Sequence, residues 1–354
     1  MTQTKLIKGN EALAEAAILA GCRHYFGYPI TPQTEIGAYF AKRMPEVGGV
    51  FLQAESEIAA VHMLYGASCA GKRAMTSSSS PGISLKSEGL SYLAGSDLPA
   101  LVVNVQRAGP GLGGIQPSQS DYFQATRGGG HGDFRNIVLA PASAQEMATL
   151  TQRGFDLADE YRMTVMILSD GTIGQMMEPV LLEAPAPKQV EKPWALTGTG
   201  GAREKNIITS LYLSPTELEQ KNLSRFARYA QVEAHETDYE SFCMEDAEIC
   251  LVEYGIAARV SKNAVSAARA KGIRAGLIRP ITLWPFPSDA LKAAAAHVKQ
   301  FISVELSMGQ MLTDIERAVR CSRPVSLVSR VGGVIPSPEE VLRAIEQAAE
   351  EASA

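Results

Sequence analysis

No two of the five cysteines, Cys22, Cys69, Cys243, Cys250 and Cys321, stand in a C-x-x-C spacing. The Cys243-x6-Cys250 interval matches no usual zinc or iron–sulfur signature, so the chain is not expected to carry a metal cluster of its own. Its thiols read as reduced, small residues of a packed interior. Positive charge is also short: 33 Lys and Arg stand against 38 Asp and Glu, a net charge of -5. That balance leaves no electrostatic footprint for nucleic acid and no basic patch for a membrane surface. Long apolar runs are missing too. The opening "MTQTKLIKGNEALAEAAILAGC" has no secretory layout, and Glu11 and Glu15 interrupt an apolar part too short to span a bilayer. A cytoplasmic location is the expectation.

What is present is apolar. Such residues make up 45% of 354, enough to bury the core of two domains or one large one. Short apolar runs alternate with amphipathic ones: "HYFGY", "GVFLQ", "RAMTSS", "ALVVNVQ", "NIVLA" and "MTVMILS" read as strands, with helical segments between. Near-continuous apolar strands separated by helices predict a doubly wound α/β domain with a parallel sheet covered on both faces. The stretch "EAPAPKQVEKPWALTGTGGAREKN" is rich in Pro, Gly and charge and reads as a linker. Weak periodicity follows to about Glu245, suggesting a segment that wraps a neighbouring surface. Alternation then resumes with "EICLVEYG", "IRAGLIRP", "QFISVEL" and "PVSLVSR", a smaller α/β unit of about four strands. The expected divisions are 1–185, 186–240 and 241–354.

Ligands of an open parallel sheet sit beyond the carboxyl ends of its strands. Four loops fall there: "PITPQTE", "QAESE", "SSSSPG" and "QRAGPGLGGIQPSQSDYFQATRGGGHGD". The last contains Gly109-x-Gly111-x-x-Gly114, a formal dinucleotide fingerprint, but Pro110 and Pro117 interrupt it and no helix opens inside it. A long glycine-rich loop reads as a mobile lid, and His131 in "GGGHGD" is a candidate substrate contact, although exposed loop histidines are commoner. "SSSSPG" matches neither a nucleophile elbow nor a P-loop, so its hydroxyls are expected to cap the next helix and line a pocket. Glu55 and Glu57 stand where acids complement a helix dipole. Arg107 is the first charge after "ALVVNVQ"; it either ends a strand or grips an anion through two parallel hydrogen bonds.

Taken together and in order, "GNEALAEAAILAGCRHYFGYPITPQTEI", "QAESEIAAVHMLYGASCAGKRAMTSSSSPGISLKSEGLSYLA", "LVVNVQRAGPGLGG", "LIRPITLWPFP" and "RVGGVIPSPEEV" resemble the alpha subunit of 2-oxoacid:ferredoxin oxidoreductases. The loop "QPSQSDYFQATRGGGHGD" is most similar to the branched-chain 2-oxoacid type and related 2-oxoglutarate enzymes. The resemblance implies a pyrimidine-binding domain for thiamine diphosphate and a transketolase C-terminal-like domain. It implies a beta subunit that supplies the diphosphate and Mg²⁺ site through a G-D-G motif, for which this chain offers only "SDG", Ser169 to Gly171. Iron–sulfur clusters would lie on partner chains, among them gamma and ferredoxin-like subunits. The implied reaction converts a 2-oxoacid and coenzyme A to acyl-CoA and CO2, with two electrons passed to ferredoxin or a similar acceptor.

The resemblance also distributes roles. Glu57 lies nine residues before Gly66, as the family's glutamate lies before the corresponding glycine. It would face ring nitrogen N1′ of thiamine and share its proton, with Glu55 the rival. Pro29, Ile30, Ser79 and Ser80 would line the cofactor, and Thr31 and Arg107 the 2-oxoacid. Gln119, Asp121 and His131 would belong to a lid or touch substrate. Pro29 and Pro32 stiffen the mount of Thr31, and Pro32 suits the first turn of the next helix. Four readings compete with the decarboxylating one: an aryl-2-oxoacid oxidoreductase or reductive carboxylase of the same family, a transketolase-type ketol transferase, an NAD-binding dehydrogenase, and a bare scaffold subunit.

Overall fold

The computed structural model describes residues 3–184, 188 and 190–352. The expected break between 185 and 186 lies outside the described residues. The chain begins with β1 (Gln3–Lys8), α1 (Gly9–Leu19), β2 (His24–Gly27), α2 (Thr34–Arg43), β3 (Val50–Gln53), α3 (Glu57–Cys69) and β4 (Ala74–Ser78). It continues through α4 (Ser80–Gly95), β5 (Ala100–Gln106), α5 (Tyr122–Thr126), β6 (Ile137–Leu139), α6 (Ala144–Tyr161), β7 (Thr164–Asp170), α7 (Gly171–Gln175) and β8 (Met177–Leu182). Every residue of β4, β5, β6 and β7 is buried, as their apolar runs require. Helix starts follow their caps: the hydroxyls of Ser56 and Ser143 accept the N–H of Ala59 and Glu146.

The second half holds α8 (Pro215–His235), β9 (Tyr239–Phe242), β10 (Ile249–Val252), α9 (Gly255–Ala270), β11 (Ala275–Pro280), β12 (Thr282–Trp284) and α10 (Ser288–Ala294). It ends with β13 (Gln300–Glu305), α11 (Leu312–Ala318), β14 (Val325–Ser329) and α12 (Pro338–Glu351). Two larger sheets result. One has the order β12-β6-β7-β5-β4-β2-β3, the other β14-β13-β10-β11-β9. In the first, β12 is antiparallel to β6 and the remaining neighbours are parallel. The two units are thus sewn together, because β12 leaves the second unit to extend the sheet of the first. A small antiparallel pair, β1 with β8, covers α1 and α6.

Four details differ from the sequence expectations. The polar stretch before Glu245 contains α8, 21 residues long. Its buried residues, Arg225, Tyr229 and Val232, form a narrow stripe that weak periodicity conceals, although Ser214-Pro215-Thr216-Glu217 is a helix-start signature. The second sheet has five strands rather than about four, because β9 joins it antiparallel to β11. Strand β3 is not covered: Val50 is 45% and Leu52 38% exposed at the sheet edge. Finally, Cys22, Cys69 and Cys250 are buried, but Cys243 is half-buried and Cys321 exposed. Among the described residues no helix is long and apolar enough to cross a membrane.

Polar contacts hold the units in register. Arg279, on β11, grips both carboxylate oxygens of Glu146 at 2.7 and 2.9 Å and Glu240 at 2.8 Å. Tyr122 donates to Asp314 at 2.7 Å. The segment 190–214 runs over the first unit: the Leu196 N–H meets the Cys69 carbonyl, and Arg162 lies over the Trp194 ring.

Candidate active site

The loops after β2, β4 and β5, and the start of α3, meet at the carboxyl edge of the first sheet. Buried hydrogen bonds hold the 28–33 loop. Tyr25 and Gln33 converge on the Ser77 hydroxyl at 2.7 and 2.6 Å, and the Pro32 carbonyl accepts from Asn10 and Gln175 at 2.9 and 3.1 Å. Pro29 and Thr31 are exposed and Ile30 is half-buried. Pro32 precedes the N-cap Gln33, so it stands just outside α2 rather than in its first turn. The proline still blocks helical extension backward, because its ring restricts the preceding residue.

Arg107 joins this loop to the next. It is buried, and its guanidinium donates to the carbonyls of Thr31 at 3.1 Å and Leu112 at 3.0 Å. Its Nε is buried without a partner, and Nη1 and Nη2 each use one of two N–H groups, so donors of the fork remain for an anion. Behind it, the Arg107 N–H donates to the Ser80 hydroxyl at 3.0 Å, and that hydroxyl donates to Asp121 at 2.6 Å. Asn104 completes the group: its amide donates to Asp121 at 2.9 Å and accepts the Ser80 N–H at 3.1 Å. Burial raises the Asp121 pKa, opposed by the bonds from Ser80 and Asn104. Sequence reading passed over Asn104, yet one amide inside the apolar run "ALVVNVQ" was a usable signal.

Ser80, Arg107 and Asp121 open onto a cavity of about 740 Å³ between the two units, also lined by Pro110, Leu306, Met308 and Val331. The size suits a small organic acid together with part of a larger ligand.

Glu57 occupies the first position of α3 and is 6% exposed, whereas Glu55 is exposed. α4 crowds against it at Gly82. A Cβ there would collide with Ser78 Oγ and lie 2.7 Å from Glu57 Oε1. We expect Gly82→Ala to lower stability by about 1–3 kcal/mol, as overpacking does. Urea unfolding checks this, and an unchanged midpoint would mean that the contact yields. The Ser78 and Ser79 hydroxyls are buried without partners. Ser79 is the N-cap of α4 but does not cap it through its hydroxyl, contrary to expectation. The reason is local: Pro81 has no N–H, and the Gly82 N–H bonds the Ser79 carbonyl at 2.7 Å.

The other candidates do not join the hydrogen-bonded cluster of Ser80, Asn104, Arg107 and Asp121. Gln119 is buried and uses both ends of its amide on the second unit, donating to the Tyr254 carbonyl at 2.8 Å and accepting the Leu306 N–H at 3.0 Å. It joins the two units, between Ser118 and Ser120 of the cavity lining. His131 is exposed, its backbone tied to the Ser91 hydroxyl at 2.8 and 2.9 Å and its ring set edge-on to Tyr92. Ser91 lies eleven residues beyond Ser80 on α4, a rise of roughly 16 Å, so His131 is not gathered with Arg107. The fingerprint-like glycines open no helix, since the next one is α5. Asp170 of "SDG" is a helix cap, accepting the Thr172 and Ile173 N–H at 2.8 and 3.1 Å.

Comparison with known proteins adds a second, independent kind of observation. The family described as pyruvate flavodoxin/ferredoxin oxidoreductase, thiamine diphosphate-binding, matches residues 15–241. Pyruvate:ferredoxin oxidoreductase core domain II matches 247–341. The ketoisovalerate oxidoreductase subunit VorB of Methanothermobacter marburgensis is 51% identical over 351 residues, covering 99% of both chains. The 2-oxoglutarate synthase subunit KorA of Methanothermobacter thermautotrophicus is 36% identical, over 98% of this chain and 99% of that one. Among solved structures, the 2-oxoglutarate:ferredoxin oxidoreductase of Magnetococcus marinus, with 2-oxoglutarate, coenzyme A and succinyl-CoA bound, superposes with a TM-score of 0.86 at 30% identity. That match covers 98% of this chain and 65% of the other, so this chain spans less than two thirds of that protein's length. A split-gene transketolase, at TM-score 0.61 and 14% identity, shares the fold alone.

Proposed function

We propose, given that this chain belongs to the pyruvate flavodoxin/ferredoxin oxidoreductase family of thiamine-diphosphate-binding subunits, that it is the alpha-type subunit of a heteromeric 2-oxoacid:ferredoxin oxidoreductase. The reaction is oxidative decarboxylation of a 2-oxoacid with coenzyme A to acyl-CoA and CO2, electrons passing to iron–sulfur carriers on partner chains. The observation that carries this reading is the junction of Arg107 with the Thr31 loop, tied through Ser80 to the start of α4, where Gly82 abuts the buried Glu57. Thiamine diphosphate would supply the nucleophilic carbon and the electron sink for decarboxylation.

The chain's own residues fit that cofactor at one end. Glu57 presents a carboxyl group with no hydrogen-bonded side chain among the described residues, next to the orphaned hydroxyls of Ser78 and Ser79. A carboxyl so placed suits a ring nitrogen that must share a proton. Ser79, Pro29 and Ile30 would flank the ring. Arg107 would bind the 2-oxoacid carboxylate through the part of its fork that Thr31 and Leu112 leave free, with the Thr31 hydroxyl on the same side.

A partner would hold the diphosphate and Mg²⁺. Its place is suggested by exposed apolar side chains on the elements that flank Glu57: Val50 and Leu52 on β3, Ile58 on α3 and Leu85 on α4 are 38–51% exposed. Helix α3 is rich in apolar residues without a single apolar face, which fits burial between two chains rather than the surface of one. The segments 1–185 and 241–354 are assigned to pyrimidine binding and to the transketolase C-terminal-like domain.

The cavity favours an uncharged substrate side chain. Arg107 is the one cation among its lining residues, and Asp121 is the one acid. A second carboxylate, as in 2-oxoglutarate, would find no counter-charge there. An unpaired polar group costs about 1–3 kcal/mol, or about 5- to 150-fold. Co-expression with the partner chains, followed by a panel of 2-oxoacids with coenzyme A, thiamine diphosphate and viologen, tests this. Branched-chain 2-oxoacids are expected to exceed 2-oxoglutarate in kcat/KM by that factor. Viologen reduction that ignores coenzyme A, or ketol transfer without an electron acceptor, would refute the proposed reaction.

A further inference from the structure

Lys86 is a charged side chain in the interior that neither the fold nor the site has yet used. It sits midway along α4 and is fully buried. Its ammonium donates to the Thr76 hydroxyl on β4 at 2.9 Å. A buried ammonium is costly unless an opposite charge lies near.

The packing of α3 on α4 identifies that charge. Gly89 is pressed against α3, where a Cβ would lie 2.6 Å from Val61 Cγ2. Gly82 is pressed against Glu57 in the same way. Lys86 stands between these contacts, four residues after Gly82, and helical side chains lean toward the helix N-terminus. Its ammonium is thereby on the side of α4 that faces the first turn of α3, where its hydrogen bond is to Thr76 and it does not close to a direct ion pair with Glu57. Thr76 and Ser78 lie two residues apart on one face of β4, and Ser78 abuts Gly82 beside Glu57. Burial pushes the Lys86 ammonium down to about 8, and the Glu57 carboxylate, the charged group that acts on it, pulls the other way.

We propose that Lys86 is a positioning residue for Glu57: its ammonium is the counter-charge of that carboxylate, and the pair stores the proton that the cofactor ring nitrogen requires. The inference rests on the assignment of Glu57 to that ring. With Lys86 charged and Glu57 ionised, the pair holds one proton. When the cofactor binds, that proton moves to the bond between carboxyl and ring nitrogen, Lys86 becomes neutral, and no proton is drawn from solvent. Above the Lys86 midpoint the pair holds none. Binding must then take one up, and affinity falls about tenfold per pH unit.

Two measurements test this without reading turnover. The first follows the ¹³Cε resonance of Lys86 with pH in the cofactor-free full chain, assigned by its loss in Lys86→Met. Its midpoint is expected far below that of a free lysine, and lower again by about one unit or more in Glu57→Gln. A midpoint that Glu57→Gln leaves unmoved overturns the pairing. The second measures thiamine diphosphate binding to the assembled complex by calorimetry, in two buffers of unlike ionisation enthalpy. At pH 7 the unsubstituted complex is expected to take up no proton. Lys86→Met should take up about one, with the alkaline fall in affinity setting in at lower pH than in the unsubstituted complex. Equal weakening at every pH without proton uptake is what a packing defect produces, and it would overturn the proposal. If Glu57→Gln binds and turns over normally, the Glu57 assignment fails. If Glu57→Gln is inactive but uncoupled from Lys86, this inference fails alone.

Discussion

Replacing Glu57 by Gln is expected to abolish turnover while the complex still assembles. The amide keeps the size of the carboxyl and so fits the same room against Gly82, where an added Cβ would come within 2.7 Å of Glu57 Oε1. It cannot share a proton with the ring nitrogen. Positioned proton transfer contributes typically 10²–10⁴-fold, so a loss of at least about that size is expected in kcat. Size-exclusion chromatography of the co-expressed complex and single-turnover decarboxylation separate assembly from chemistry. Full activity would sink the assignment and favour a scaffold role for the chain. Glu55→Gln, at an exposed position, is the control and should be close to neutral.

Arg107→Ala carries the second large effect. If the guanidinium binds the 2-oxoacid carboxylate, its removal forfeits two charge-assisted bonds of about 1.5–3 kcal/mol each. A fall in kcat/KM of about 10²–10⁴-fold follows, appearing mainly as a raised KM. The same side chain ties the Thr31 and Leu112 carbonyls together, so loop order is also at stake. Arg107→Lys separates the two functions: it retains charge but loses the planar fork. A thermal melt of each variant reports whether the fold survives. Unchanged 2-oxoacid kinetics in a folded Arg107→Ala would refute the substrate role.

Much of this site can be read along the chain because it is local. Each strand of the parallel sheet announces itself by an apolar run, and the residue after the run must stand at the carboxyl edge. That rule locates the loops that carry Thr31, Glu57, Ser80 and Arg107, and the family resemblance supplies the roles proposed for them. The ordered motifs add the family, since several short patterns in one sequence order constrain the chain far more than any single pattern does. What escapes is whatever depends on distant partners. Gln119 lies in a loop that reads as a lid, but its amide closes on Tyr254 and Leu306, more than a hundred residues away. The periodicity of "GISLKSEG" places Lys86 on the same face as Gly82, yet nothing local says that this face is buried against Glu57.

The sequence by itself determined the alternating α/β plan, the positions of the functional loops and the family, because hydrophobic period and motif order are properties of neighbouring residues. Only the tertiary structure decided that β12 crosses into the first sheet, that Arg107 clamps the Thr31 carbonyl, and that β3 and α3 keep an apolar face uncovered. Those outcomes follow from which surfaces meet after folding. A buried donor must find its acceptor wherever the chain brings one.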